Sequence, residues 1–278
     1  MPVILGELNV LTTPLSLVRV SEIVCGCVVF SLVASGSESI SSDDNFRVFC
    51  MFTWCFFFTM SLLILLVEFI QFQSLIPVSW KNLPVTVSAL AGLMTLTASV
   101  SFPWFVVKEN KDISAKMIMA TIFSCLTFVF YTVETYLLKS QDAEQRGYMA
   151  SAPGLLKTFE VFGGCVIFVL ASEQREGFAW WRTLVYCCCF LMSLSTIAVM
   201  LGDCAGRCLL PFDRILAAFS CLSVLLYTSA AVLCIYGYVQ PKSKDLERHL
   251  FCTVITFLNL LAYSVDLAFS IRLLCHRV

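Results

Sequence analysis

The chain has 278 residues, of which 59% are hydrophobic and 13% charged, with a formal net charge of −1. A water-soluble domain averages roughly 45–50% apolar and about 25% charged, so a mean hydropathy of +0.88 excludes a single soluble core and requires lipid as the solvent. The near-neutral balance and a pI of about 6.1 leave no basic face for nucleic acid.

A membrane-spanning helix needs about 20 mostly apolar residues. Eight runs qualify: 15–35, 48–69, 85–107, 117–138, 155–171, 183–201, 215–238 and 250–274. The fifth is the shortest and is expected to take in a flanking residue or two. Backbone polar groups in lipid must be satisfied within their own segment, so these runs are expected to be helices. The alternation of a membrane β-barrel is absent. The start of the chain carries Glu7 with only Arg19, within the first run, as a base, and the run is long for a signal peptide, so a retained helix is expected.

The connections are short and polar, from SGSESISSDDN after the first helix to QPKSKDLER after the seventh, and none suits a soluble domain. Trp80, Trp104, Trp180 and Trp181 fall at the predicted membrane edges, where an amphipathic ring is favoured. Trp54 lies about two turns inside the second helix, and this pattern does not explain it.

The two halves repeat each other. At an offset of 138, Arg19 matches Lys157, Glu22 matches Glu160, Gly26 matches Gly164, Cys27 matches Cys165 and Phe30 matches Phe168. Helix 4 carries Tyr131 and Glu134 where helix 8 carries Tyr263 and Asp266, at an offset of 132. Glu68 closes helix 2, and Asp203 follows helix 6. Pro14, Pro84, Pro153 and Pro211 each precede an odd-numbered helix, where a missing N–H costs nothing. The expected architecture is therefore all-α and polytopic, with one four-helix unit over 1–145 and another over 146–278. Four helices is an even number, so both units enter from one side as a parallel repeat, unlike the inverted repeats of many transporters.

Within each unit the acids share one side of the membrane. Arg19 and Glu22 are three residues apart on a helix, as are Lys157 and Glu160, so each pair can meet. The expectation is a polar cluster in each unit: Arg19, Glu22 and Glu134 with Glu68 at the rim, and Lys157, Glu160 and Asp266 with Asp203 at the rim. Intramembrane acids also raise a functional reading, proton or cation relay, with Glu134 and Asp266 the best candidates because they lie inside their helices, Asp266 the deeper. Against it stands the structural reading, in which polar groups bind helices together. Ala91, Thr95 and Ser99 form a four-residue stripe of small side chains on helix 3 that allows close packing, within the molecule or between molecules.

All of the 15 cysteines except Cys204, Cys208 and Cys275 lie inside apolar runs, where a free thiol behaves as a small hydrophobe. Cys204 and Cys208 lack a second pair or a nearby histidine to complete a metal knuckle. His249 and His276 lie at opposite ends of one helix, about 30 Å apart. No metal, cofactor or catalytic constellation is expected.

Several strings carry a resemblance. FTWCFFF at 52–58, VSWKNLP at 78–84, GYMASAPGLLK at 147–157, CLSVLLY at 221–227 and NLLAYSVDLA at 259–268 resemble the myeloid-associated differentiation marker family, which carries two MARVEL domains. The likeness covers nearly the whole chain. It implies two MARVEL-like four-helix units, cytosolic termini and a role in organising membranes, because MARVEL proteins are associated with cholesterol-rich microdomains, membrane apposition and vesicle traffic. It implies no catalytic residues. The chain departs from these relatives in its brief connection between helices 7 and 8, which has no cysteine.

Three function classes follow: a membrane-organising scaffold, a proton- or ion-coupled transporter or channel, and an intramembrane enzyme. The resemblance and the minimal loops favour the first. The second has the acids in its favour but lacks broken helices, Pro103 apart. The third lacks a histidine, metal or nucleophile arrangement. Expected partners of the scaffold are membrane lipids, including cholesterol-rich domains, and other membrane proteins or further copies of the chain. Charge bias does not orient the chain, because its 18 Lys and Arg divide evenly between the two sides. The even helix count together with the resemblance places both termini in the cytosol, with the plasma membrane as the expected location. Cys204, Cys208 and Cys275 then sit at the cytosolic edge and are candidates for palmitoylation.

Overall fold

A computed structural model describes residues 12–35, 44–74, 76–107, 115–141, 147–171, 179–202, 212–239 and 246–276. Among the described residues, long apolar runs give eight α-helices: α1 Pro14–Ala34, α2 Asp44–Ile70, α3 Leu83–Ser101, α4 Ala115–Lys139, α5 Ala152–Ala171, α6 Ala179–Leu201, α7 Phe212–Val239 and α8 Leu246–His276. All eight are long and apolar enough to cross a membrane. Most extend past the apolar runs by a few polar residues, because a helix continues into the interface once lipid has set its hydrogen bonding. The short fifth run gains three residues at its start, Ala152 to Gly154.

Local chemistry sets several ends. Thr13 caps α1 by accepting the backbone N–H of Ser16 at 3.2 Å, and Pro14 takes the first helical position. α2 stops at Gln71, whose φ of 57° turns the chain left-handed and leaves Glu68 on the last turn. α3 runs into a π-helical turn, Phe102–Val107, which includes Pro103. A proline cannot donate to the helical ladder, and a widened turn is a usual way to accommodate that.

The chain divides into two compact units, Met1–Ala150 and Ser151–Val278. The dividing point lies five residues beyond the expected 145, because the 3-10 turn Tyr148–Ala150 belongs to the first unit. There Asn82, just ahead of α3, accepts the Met149 backbone N–H at 3.0 Å.

In the first unit α1 and α3 each pack on both α2 and α4, and in the second α5 and α7 each pack on both α6 and α8. Each unit is thus a closed ring of four helices. Its interior holds Val29, Trp54, Met94 and Tyr131 in the first unit, and Ile167, Tyr186, Tyr227 and Tyr263 in the second. The outward faces carry Leu17, Val24, Phe52, Leu63, Leu225 and Leu261, all exposed. Such faces suit lipid tails. The small stripe of α3 is turned inward: Ala91 and Thr95 are fully buried, and Ser99 pairs with Ser124 of α4 at 2.8 Å.

Candidate functional site

Arg19 lies on the buried face of α1 with no exposed surface. Its Nε donates to Glu134 of α4 and its Nη1 to Glu68 of α2. A guanidinium is planar and presents a rigid fork of donors, which lets one arginine serve acids on two different helices. Glu22, one turn further along α1, is also fully buried. It does not take an arginine N–H. Its Oε2 accepts the Ser61 hydroxyl of α2 at 3.2 Å, and Ser61 pairs with the Tyr131 hydroxyl of α4 at 3.1 Å. The expected Arg19–Glu22 contact is therefore replaced by two cross-helix ion pairs and a hydroxyl chain. Glu68 is more than a rim residue, since it bonds Arg19 directly while its side chain stays 16% exposed.

The second unit solves the same problem with lysine. Lys157 of α5 donates to Glu160 on its own helix at 2.9 Å and to Asp266 of α8 at 2.8 Å. A lysine is a compact point charge on a flexible stem, which lets it reach the acid one turn away. Glu160 also accepts Ser193 of α6 at 2.7 Å, and Ser193 pairs with the Tyr263 hydroxyl at 2.9 Å. Ser220 of α7 donates to Asp266. The Lys157 ammonium lies 5.7 Å from the centre of the Tyr263 ring, within cation–π range.

The hydroxyl chains are a repeated feature that charge spacing alone does not reveal. Ser61 and Tyr131 are separated by 70 positions, as are Ser193 and Tyr263. A second pair follows the same rule on the same helices. Trp54 Nε1 donates to Ser124 at 3.1 Å, and Tyr186 pairs with Thr256 at 3.0 Å, again 70 positions apart. This explains Trp54: it is a fully buried core residue of α2, hydrogen-bonded to α4 and edge-on to Phe102 at 5.5 Å. The signal available in the sequence was the aromatic at 54 and at 186, offset by 132 like the rest of the repeat. Close helix contact is matched too. A Cβ at Gly26 would stand 2.9 Å from Phe58 Cβ, and one at Gly164 would stand 2.7 Å from the Phe190 ring.

The clusters thus bring together Arg19, Glu68 and Glu134, with Glu22 joined through Ser61, and in the other unit Lys157, Glu160 and Asp266. Asp203, Cys204 and Cys208 lie outside the described residues. Cys275 is exposed near the end of α8. Among the described residues, no three His, Cys, Asp or Glu side chains converge to hold a metal ion. Chemically, each cluster can bind helices by paired charge and can hold a proton among closely spaced acids and hydroxyls.

The model of the MARVEL family, described as a membrane-associating domain, matches residues 10–137, within the first unit. Over nearly its whole length the chain is similar to three kinds of curated relative. It is 34% identical to the myeloid-associated differentiation marker homolog of Xenopus laevis, covering 98% of this chain and 96% of that protein. It is 36% identical to the myeloid-associated differentiation marker of Homo sapiens, covering 100% and 93%. It is 32% identical to the myeloid-associated differentiation marker-like protein 2 of Homo sapiens, covering 96% and 94%. No solved structure matches the chain.

Proposed function

Because the chain belongs to the myeloid-associated differentiation marker family of MARVEL-domain membrane proteins, we propose that it is a non-enzymatic scaffold that organises membrane microdomains and supports membrane apposition or vesicle traffic. It resides in the plasma membrane with both termini in the cytosol. Its partners are membrane lipids, cholesterol-rich domains among them, and other membrane proteins or further copies of the chain.

The observation that carries this reading is the use made of buried charge. Each cluster's cation is bound by two acids of its own unit, so the ions tie helices together. A protein whose function lies in its lipid-facing surface needs rigid units of this kind. The test is partition of the tagged full-length protein in giant vesicles drawn from plasma membranes. Enrichment in the ordered phase that falls when cholesterol is extracted is the expected result, and enrichment in the disordered phase contradicts it.

A second reading, a proton- or ion-coupled transporter, is favoured by one observation. Glu22 Oε1 and Glu160 Oε1 are buried without a hydrogen-bond donor. Purified protein in liposomes loaded with a pH-sensitive dye separates the two readings. The scaffold produces no flux above that of empty liposomes under an imposed gradient, whereas a transporter dissipates it.

A further inference from the structure

In the first unit one guanidinium faces three carboxyl groups: Glu134 and Glu68, which it binds directly, and Glu22, which it does not. Full ionisation would leave two negative charges without a counter-charge. Glu68 retains some contact with the surroundings. Glu22 has none: it is 0% exposed, and its single donor is the Ser61 hydroxyl, on Oε2. Its Oε1 receives no N–H or O–H. A buried carboxylate with one unpaired oxygen and no cation bonded to either oxygen bears the full cost of its charge, and the neutral acid does not. Carboxyl groups gathered at one site in other proteins hold a proton for this reason.

We propose that Glu22 is a proton-binding site: a neutral carboxylic acid inside the membrane, next to an arginine whose bonded acids are Glu134 and Glu68. The charged and titratable groups of the cluster around it are Arg19 on its own helix, Glu68 on α2, and Tyr131 and Glu134 on α4, with Ser61 of α2 bonded to Glu22 itself. Tyr131 and Ser61 form a hydroxyl chain that ends on Oε2 of Glu22, while Oε1 has no hydrogen-bond partner.

The second unit serves as an internal control. Glu160 occupies the matching place and has the same serine and tyrosine, but it receives the Lys157 ammonium directly. A cation in contact favours the ionised form. The assignment of the proton in the first unit therefore follows from the different reach of arginine and lysine.

Infrared spectroscopy of the purified full-length protein in lipid nanodiscs at neutral pH tests this. The expected result is a carbonyl band of a neutral carboxylic acid that shifts in D2O, disappears in Glu22→Gln and persists in Glu160→Gln. Absence of that band in the unsubstituted protein overturns the proposal, and so does a band that survives Glu22→Gln. Should Glu22→Gln fail to fold, Glu22→Asp produced with carboxyl-13C glutamate replaces it. The acid band must then lose its isotope shift, since the proton now sits on an unlabelled aspartate. A band that keeps the glutamate isotope shift in this variant assigns the proton elsewhere and overturns the proposal.

Discussion

Arg19 on α1 is bonded to Glu134 on α4, 115 positions along the chain, while Glu22, one turn away on its own helix, is held by Ser61 instead. The ion pair therefore closes the ring of four helices rather than stiffening one of them. Replacing Glu134 with Leu leaves a buried guanidinium short of a partner, and breaking a buried pair in this way costs roughly 3–5 kcal/mol. Glu134→Gln keeps an acceptor for Arg19 and should cost less. Denaturant unfolding of the purified full-length protein ranks the two, and equal losses would argue against a pairing role.

Helix contact at the matched glycines makes a second prediction. Gly26→Ala and Gly164→Ala push a methyl group against Phe58 and Phe190, and overpacking of this kind costs about 1–3 kcal/mol. Gly92 is the control, because its added Cβ would meet nothing closer than 3.7 Å. Gly92→Ala should be neutral or stabilising by up to about 1 kcal/mol, from helix propensity. Thermal unfolding of the three variants side by side checks the order.

Trp54 and Ser124 provide a third. Ser124→Ala strands a buried indole N–H, a change that costs about 1–3 kcal/mol. Thr256→Val in the second unit should cost less, because the Tyr186 hydroxyl also meets the Cys234 thiol at 3.5 Å. Paired unfolding curves of the two variants decide this.

Topology is open to a direct check. If both termini are cytosolic, as proposed, tags at Met1 and Val278 should both be protected in intact cells. Surface labelling of either tag would reverse the assigned sidedness and move Cys275 to the outer edge.

The spans and the charged turns were legible because apolar run length reports membrane crossing directly, and because an unusual residue such as Glu22 or Asp266 stands out in such a run. The repeat also fixed which residues correspond. Partner choice was legible in the second unit, where Lys157 meets Glu160 and Asp266 as grouped, and only in part in the first, where Arg19 meets Glu134 but not Glu22. Spacing along one helix reveals neighbours such as Arg19 and Glu22, whereas the bond from Arg19 to Glu134 depends on how α1 packs on α4. The hydroxyl partners Ser61 and Ser193 were missed for another reason. Serines are common in these helices, and many satisfy only their own backbone, as Ser31 and Ser264 do. Only the folded rings separate the two kinds.

The central claim is that the buried clusters hold each unit together, and Asp266 tests it most directly. Asp266 is 1% exposed, bonded to Lys157 at 2.8 Å and also to Ser220. Asp266→Asn removes the charge but keeps acceptor and shape, whereas Asp266→Leu removes all three. The measurement is surface expression together with the unfolding temperature of the purified variants. The account predicts Asn partly tolerated and Leu clearly worse on both readouts. Normal expression and stability of the Leu variant would contradict it, as would an Asn variant that folds normally yet loses an activity the parent protein has.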